Sequence, residues 1–287
     1  MERIEQLKEI LEKLYAKYNR SEFIPPDPLQ FLYKYSNPAD KEVVGFLSAA
    51  LAYGRVEQIE KSLTDLFGRM GPSPYAFVRD FDEAKREKLS TFKHRFTTGQ
   101  DISDLLQVLQ DVFEEKGCIE NYFLLGYSEK YKNIIPALSK FCESLLMIHA
   151  NRHNGQVSGG LKYLLADPSA GSACKRLNLF LRWMVRRDEV DLGLWNSIDK
   201  AKLIVPVDVH MARLCRILGF HSRKTVSLSM AVQITEGFAK IEPADPAKYD
   251  FALSRIGILD NCTGQYRDGC ESCELFEYCL RREDWAK

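Results

Sequence analysis

No stretch of this 287-residue chain is apolar for the roughly eighteen residues that a membrane-crossing helix needs, so no membrane partner is expected. Net charge is missing as well. The 40 Lys and Arg balance 40 Asp and Glu, which excludes a global field drawing the chain onto nucleic acid. Sustained alternation of apolar and polar residues is absent, and so are internal repeats and low-complexity tracts; this argues against a sheet-based fold, a solenoid and a disordered tract. Nor is there a secretory leader. Met1 to Arg20 is charged throughout, with Ile4, Leu7, Leu11 and Leu14 on one stripe, which is the pattern of an amphipathic helix. A cytoplasmic location is expected, and with it no disulfide framework.

What is there reads as helix after helix, an all-α chain. Asn37-Pro38 is a cap followed by proline at a first helical position. The helix it opens, Ala39 to about Tyr53, carries Val43, Val44, Phe46, Leu47 and Leu51, so it is expected in the core, with Gly54 as its break. Further helices are expected from Arg55 to Phe67, from Asp101 with Leu105, Leu106, Val108 and Leu109, and from Asn133 to Met147, with a polar loop over Asn151–Gly160. A short apolar helix end at Leu161–Leu165 then meets a tight turn over Ala166–Ser172. A helix from Ala173 to Arg187 follows, with Leu177, Phe180, Leu181 and Met184 inside and Lys175, Arg182 and Arg186 on another face. Helix, small-residue hairpin, helix is the shape of a clamp on the DNA backbone, where amides at the second helix's N-terminus hold a phosphate. An ordinary helical corner with solvated basic residues fits the same stretch. Between Ala150 and Lys224, 13 Lys and Arg stand against 6 Asp and Glu, a local basic band that suits a phosphate-binding face.

Two patterns carry chemistry. Asp208, in Val205-Pro206-Val207-Asp208-Val209-His210, follows an extended run. It precedes a helical face of Met211, Leu214, Cys215 and Leu218 that Gly219 stops. By local pattern it is an N-cap, its carboxylate held ionised by first-turn amides. The second pattern is Cys262-x7-Cys270-x2-Cys273-x5-Cys279, while Cys118, Cys142, Cys174 and Cys215 are scattered on apolar patterns as buried thiols. One short knuckle with two outlying cysteines favours a [4Fe–4S] cluster over a zinc ion, which usually takes two knuckles.

Together, the Val207-Asp208-Val209-His210 step and the cysteine spacing resemble the helix-hairpin-helix DNA glycosylases that include endonuclease III, whose cluster runs C-x6-C-x2-C-x5-C. The run from Val205 to His210 looks like the 8-oxoguanine glycosylase branch, and Phe46-Leu47-Ser48-Ala49 is similar to the family's buried early helix. The family's hairpin, L-P-G-V-G-x-K, is replaced by Pro168 to Lys175 with the single glycine Gly171. Lys175 stands thirty-three residues before Asp208, and Ala50 falls where endonuclease III inserts a glutamine into the DNA stack.

The resemblance implies a two-domain helical fold. A six-helix barrel over 39–204 would contain a helix-hairpin-helix at about 161–187, and segments 1–38 and 205–287 would form a second domain with the cluster. It implies base-excision repair of a damaged base in double-stranded DNA by a monomer, nucleoid-associated when bound. Lys175 would be the nucleophile and Asp208 its helper, in a cleft between the domains, followed by β-elimination. Ser169, Gly171, Ser172, Arg176, Arg182, His210 and Arg213 would touch DNA, and Cys262, Cys270, Cys273 and Cys279 would hold a structural cluster. That cluster would order the Gly264–Gly269 loop with Tyr266, Arg267 and Asp268. The other reading the residues support is a non-catalytic nucleic-acid-binding protein with a structural or redox-sensing metal cluster.

Overall fold

The computed structural model describes residues 2–259, Cys262 and 269–279. In chain order its helices are α1 (Glu2–Tyr18), α2 (Pro38–Ala50), α3 (Val56–Met70), α4 (Pro74–Arg79), α5 (Glu83–Leu89), α6 (Gly99–Lys116), α7 (Ile119–Leu124), α8 (Ile135–Arg152), α9 (Gly159–Leu164), α10 (Lys175–Val185), α11 (Val209–Ile217), α12 (Leu228–Ala239) and α13 (Asp250–Leu259). Among the described residues the only sheet is a two-stranded hairpin, β1 (Lys93–His94) antiparallel to β2 (Thr97–Thr98). The all-α expectation therefore holds at the level of class. No helix among the described residues is long and apolar enough to cross a membrane.

Local chemistry sets most helix starts. Asn37 accepts from the Ala39 amide at 2.9 Å, with Pro38 at the first helical position of α2. Thr98 and Asp101 form a reciprocal capping box at the start of α6, so that helix opens before the Asp101 expected to begin it. The polar stretch expected as a loop over 151–160 is partly helical, because α8 runs on to Arg152 and Ser158 caps α9.

The chain divides into two compact units: one of residues 1–23, 171–192 and 198–287, the other of residues 24–170 and 193–197. In the 24–170 unit, α2 is buried on almost every face, and even its acids are used. Asp40 accepts from Ser73 Oγ at 2.8 Å and the Tyr75 amide at 2.9 Å. Glu42 accepts from the Ile119 and Glu120 amides at 2.9 and 3.0 Å and from Trp195 Nε1 at 2.8 Å. That last bond and the burial of the Trp195 ring explain why the short 193–197 segment returns to this unit.

In the other unit, α1 buries Leu7, Leu11 and Leu14, and α13 packs against α1 and α11. Here the boundary expected at 204/205 is corrected. Residues 171–192 and 198–204 belong with 205–287, so α10 and its Lys175 lie in the same unit as Asp208. The physical reason is a buried ion network on α10. Arg182 pairs with Asp191 at 3.2 Å and with Asp250 at the head of α13. Arg186 pairs with Asp191, with Asp188 at 3.0 Å and with Asp245 at 2.9 Å. Burial pushes the Asp191 carboxyl up to about 6 against the pull of Arg182 and Arg186, so it is still ionised at neutral pH.

Removing one partner from such a network leaves a buried charge uncompensated. Arg182→Met is therefore expected to cost about 3–5 kcal/mol in a urea unfolding curve. A cost within about 0.5 kcal/mol, the range of a solvated surface arginine, would contradict the network.

Candidate active site

Asp208 is where an extended segment becomes α11. Its Oδ1 accepts from the amides of His210 and Met211, both at 2.9 Å, which makes it the N-cap that the pattern requires. The apolar face behind it (Met211, Leu214, Cys215, Leu218) is buried, as the periodicity demands. Its other oxygen is committed elsewhere: Oδ2 lies 3.2 Å from Lys175 Nζ, and each side chain is 34% exposed. Half-burial pushes the Asp208 carboxyl up, but the Lys175 ammonium, the Met211 amide and the nearby His210 outweigh it, so it sits below the ordinary aspartate value. The result is a carboxylate that stays ionised, paired with a primary amine at a helix mouth and open to solvent.

Lys175 reaches this position as the first residue of α10. Cys174 before it takes a left-handed conformation with φ 48° and makes no side-chain cap hydrogen bond. Ser172 Oγ accepts from the Cys174 amide at 3.2 Å, and exposed Gly171 turns with φ 81°, its carbonyl accepting from the Leu228 amide at 2.9 Å. Arg176 is half-buried beside Lys175, and His210 is exposed beside Asp208.

Several expected DNA contacts are placed differently. Arg182 is 2% exposed and held between Asp191 and Asp250, so it is corrected from a phosphate contact to an internal strut; Arg186 is likewise interior. The basic band of 150–224 loses both charges to those aspartates. Ser169 lies in the other unit, where its Oγ and amide bond to Asp167 at 2.7 and 2.8 Å. The boundary between units falls between Ala170 and Gly171, inside the expected helix-hairpin-helix. Arg213 donates from Nη1 to the Cys262 carbonyl at 2.9 Å, tying the Asp208 helix to the first cysteine. With Lys175 and Asp208 in one unit, the expectation of a site assembled between two domains is also corrected.

The residue that the sequence reading missed is Asp250. Burial raises its carboxyl above the ordinary value while Arg182 pulls it down, and the charges of Asp208 and Lys175 are close enough to act on it. It is a second, interior carboxylate, at the head of α13 and paired with Arg182. A signal existed in the sequence: Leu177, Leu179, Phe180, Leu181, Trp183, Met184 and Val185 leave α10 apolar nearly all round, so Arg182 had to be buried and had to find an acid.

Against that geometry, comparison with known families gives one result: a family described as a protein of unknown function (DUF2400) matches residues 27–259. The chain belongs to that family. No curated protein and no solved structure matches it. The family match covers the Lys175–Asp208 pair and ends before the first of the four clustered cysteines.

Those four cysteines are half-buried. Cys270–Ser272 and Phe276–Tyr278 are tight 3-10 turns, and the Cys273, Phe276 and Cys279 amides close them onto Cys270, Cys273 and Phe276 carbonyls at 3.0, 2.9 and 3.2 Å. Glu274 between the turns pairs with Lys17 of α1. Four thiols are a donor type that iron–sulfur clusters and zinc use, but the group of ligand atoms that the described residues bring within 4.8 Å of one another is Asp104, His149 and His153, not these cysteines. The Gly264–Gly269 loop expected to touch phosphate lies outside the described residues over 264–268.

The Asp208 carboxyl gives a direct test of the pair. In wild type it should titrate below the ordinary aspartate value, so the stability its contacts contribute is lost only as pH falls through that lowered midpoint. In Lys175→Gln the midpoint should move up, read by NMR titration of the side-chain carboxyl. An unmoved midpoint would mean that the amine and carboxylate do not meet.

Proposed function

We propose that this chain is a base-excision DNA glycosylase with AP lyase activity, acting on a damaged base in double-stranded DNA. The observation that carries the reading is the 3.2 Å approach of Lys175 Nζ to Asp208 Oδ2 at the mouth of α11. It pairs a nucleophile with its proton acceptor, in the order along the chain that the glycosylase resemblance implies. The finer architecture in this reading is the six-helix barrel expected over 39–204, with its helix-hairpin-helix at about 161–187, and a cluster carried by the unit that holds Asp208.

The steps follow from the residues. A target nucleotide turned out of the stack, at a cost of a few kcal/mol that is least for a damaged pair, brings C1′ to Lys175. Gly171, Ser172, Arg176 and the first amides of α10 would hold a backbone phosphate beside it. Asp208 Oδ2 takes a proton from the Lys175 ammonium, and the neutral amine attacks C1′. The glycosidic C–N electron pair leaves with the base, which takes the proton that Asp208 received from Lys175. Asp208, an anion again and held so by the α11 amides, stabilises the cationic sugar. The sugar ring opens to a Schiff base on Lys175, and loss of a C2′ proton with the 3′ phosphate gives β-elimination. Asp250 and Arg182 touch no substrate in this scheme and hold α10 in place. Cys262, Cys270, Cys273 and Cys279 would hold a [4Fe–4S] cluster, which supplies a crosslink that Arg213 joins to α11 through the Cys262 carbonyl.

A panel of lesion-bearing duplexes with borohydride trapping tests the reading. Wild type should give a covalent adduct and Lys175→Ala none. Asp208→Asn should still bind DNA but lose base release by about a hundredfold or more. No adduct and no base loss on any lesion, with DNA binding intact, would leave the non-catalytic nucleic-acid-binding reading standing instead.

For the cysteines, an anaerobic preparation should be brown, with about four irons and four sulfides per chain that Cys270→Ser loses. A colourless protein carrying zinc on the same residues would replace the cluster by the ion.

A further inference from the structure

The 24–170 unit holds a group of side chains that the Lys175–Asp208 site does not use. Asp104 on α6, His149 in the last turn of α8 and His153 just beyond it each bring one ligand atom to within 4.8 Å of the others, the only such group of three or more among the described residues. Asp104 and His149 are both more than nine-tenths buried, and His153 is exposed.

The hydrogen bonding inside this group is unusual. His149 Nδ1 faces the Gln156 carbonyl at 3.3 Å, and a carbonyl only accepts, so the proton of a neutral imidazole belongs on Nδ1. That leaves Nε2 as a lone pair. It is buried, has no hydrogen-bond partner, and stands 3.5 Å from Asp104 Oδ2. A lone pair and a carboxylate oxygen facing each other in the interior repel unless something positive lies between them. Two ligands about 2.1 Å from one ion at a tetrahedral angle are about 3.4 Å apart, which is close to the separation seen.

The surroundings suit the same purpose. Gln100 Nε2 donates to Asp104 Oδ1 at 2.6 Å and Arg86 Nη1 lies 3.7 Å from that oxygen, so both outer partners engage Oδ1 while Oδ2 is the oxygen facing His149. A backbone carbonyl on the far nitrogen of an imidazole is a recurring way to orient a metal-bound histidine. His153 follows His149 by four residues, with ring centroids 4.1 Å apart and an interplanar angle of 22°. Its ligand nitrogen already lies within 4.8 Å of the other two ligand atoms, and a rotation of this exposed ring would aim it at them.

We propose that Asp104, His149 and His153 bind one divalent transition-metal ion of the zinc class. Asp104 Oδ2 and His149 Nε2 are the fixed ligands, His153 closes the site, and a fourth position is left to water. Two imidazoles and one carboxylate suit zinc and its neighbours rather than magnesium or calcium. This site is independent of the glycosylase reading and of the four clustered cysteines.

The test uses the purified full chain and two probes. In equilibrium dialysis against Zn2+, wild type should hold one equivalent more than His153→Ala, whose exposed position leaves folding unchanged by circular dichroism; Asp104→Asn should lose the same equivalent. With Co2+ that equivalent should give a d–d absorption band without thiolate-to-cobalt charge transfer, because its ligands are nitrogen and oxygen. Equal zinc content in wild type and His153→Ala overturns the proposal. So does cobalt binding that shows only thiolate charge transfer, because the metal is then on the cysteines and the Asp104–His149 contact is an ion pair with a doubly protonated imidazole.

Discussion

Arg182 is the constraint on which the rest of its unit depends. One guanidinium inside the protein bridges Asp191, from the turn after α10, and Asp250, from the head of α13. Taking these charges out of water costs several kcal/mol per ion, and only a planar, multiply bonded arginine with acids on both sides offsets that cost. Arg186 repeats the arrangement four residues on with Asp188, Asp191 and Asp245. The two arginines turn α10 into a spoke whose inner end cannot move without stranding a charge. Its outer end carries Lys175, so the internal network sets where that amine points.

The two oxygens of Asp208 divide the work of the candidate site. One is taken by the amides of α11, which fixes the carboxylate and favours its ionised form; the other faces Lys175. A cap alone could have been any small polar residue. At α2 and α12 the caps Asn37 and Ser227 accept from first-turn amides in the same way; at α11 the cap also holds an amine at 3.2 Å. Arg213, one turn into α11, extends the same rigid group to Cys262. The amine, the carboxylate and the first cysteine are thus joined by one short helix.

The two units carry different donor chemistry. Lys175 and Asp208 meet in the unit with the chain ends, whereas the other brings Asp104, His149 and His153 together on and beside α6 and α8. In that second unit the buried acids Glu42 and Asp40 are satisfied by backbone and side-chain donors: Glu42 takes two amides and an indole, and Asp40 an amide and a hydroxyl. Set beside those, a buried imidazole nitrogen 3.5 Å from an acid and without a hydrogen bond stands out.

Local chemistry was legible in the sequence by itself. Caps and proline marked the starts of α2 and α11, helical periodicity gave the buried stripes of α1, α10 and α11, and Asp208 was placed as an N-cap from its neighbours alone. These features depend on residues within about one turn of each other, and a linear pattern records them. Only the tertiary structure decided which charges are interior and what they meet. Arg182 shares a helix with Lys175, yet one faces two acids and the other a solvent-open carboxylate. Asp250 lies 68 residues from its arginine, Trp195 153 from Glu42 and His149 45 from Asp104. The cost of a buried charge and the gain from its partner are both set by distances in space. For that reason the unit boundary, the burial of Arg182 and the pairing of Asp104 with His149 could not be read until the helices were packed.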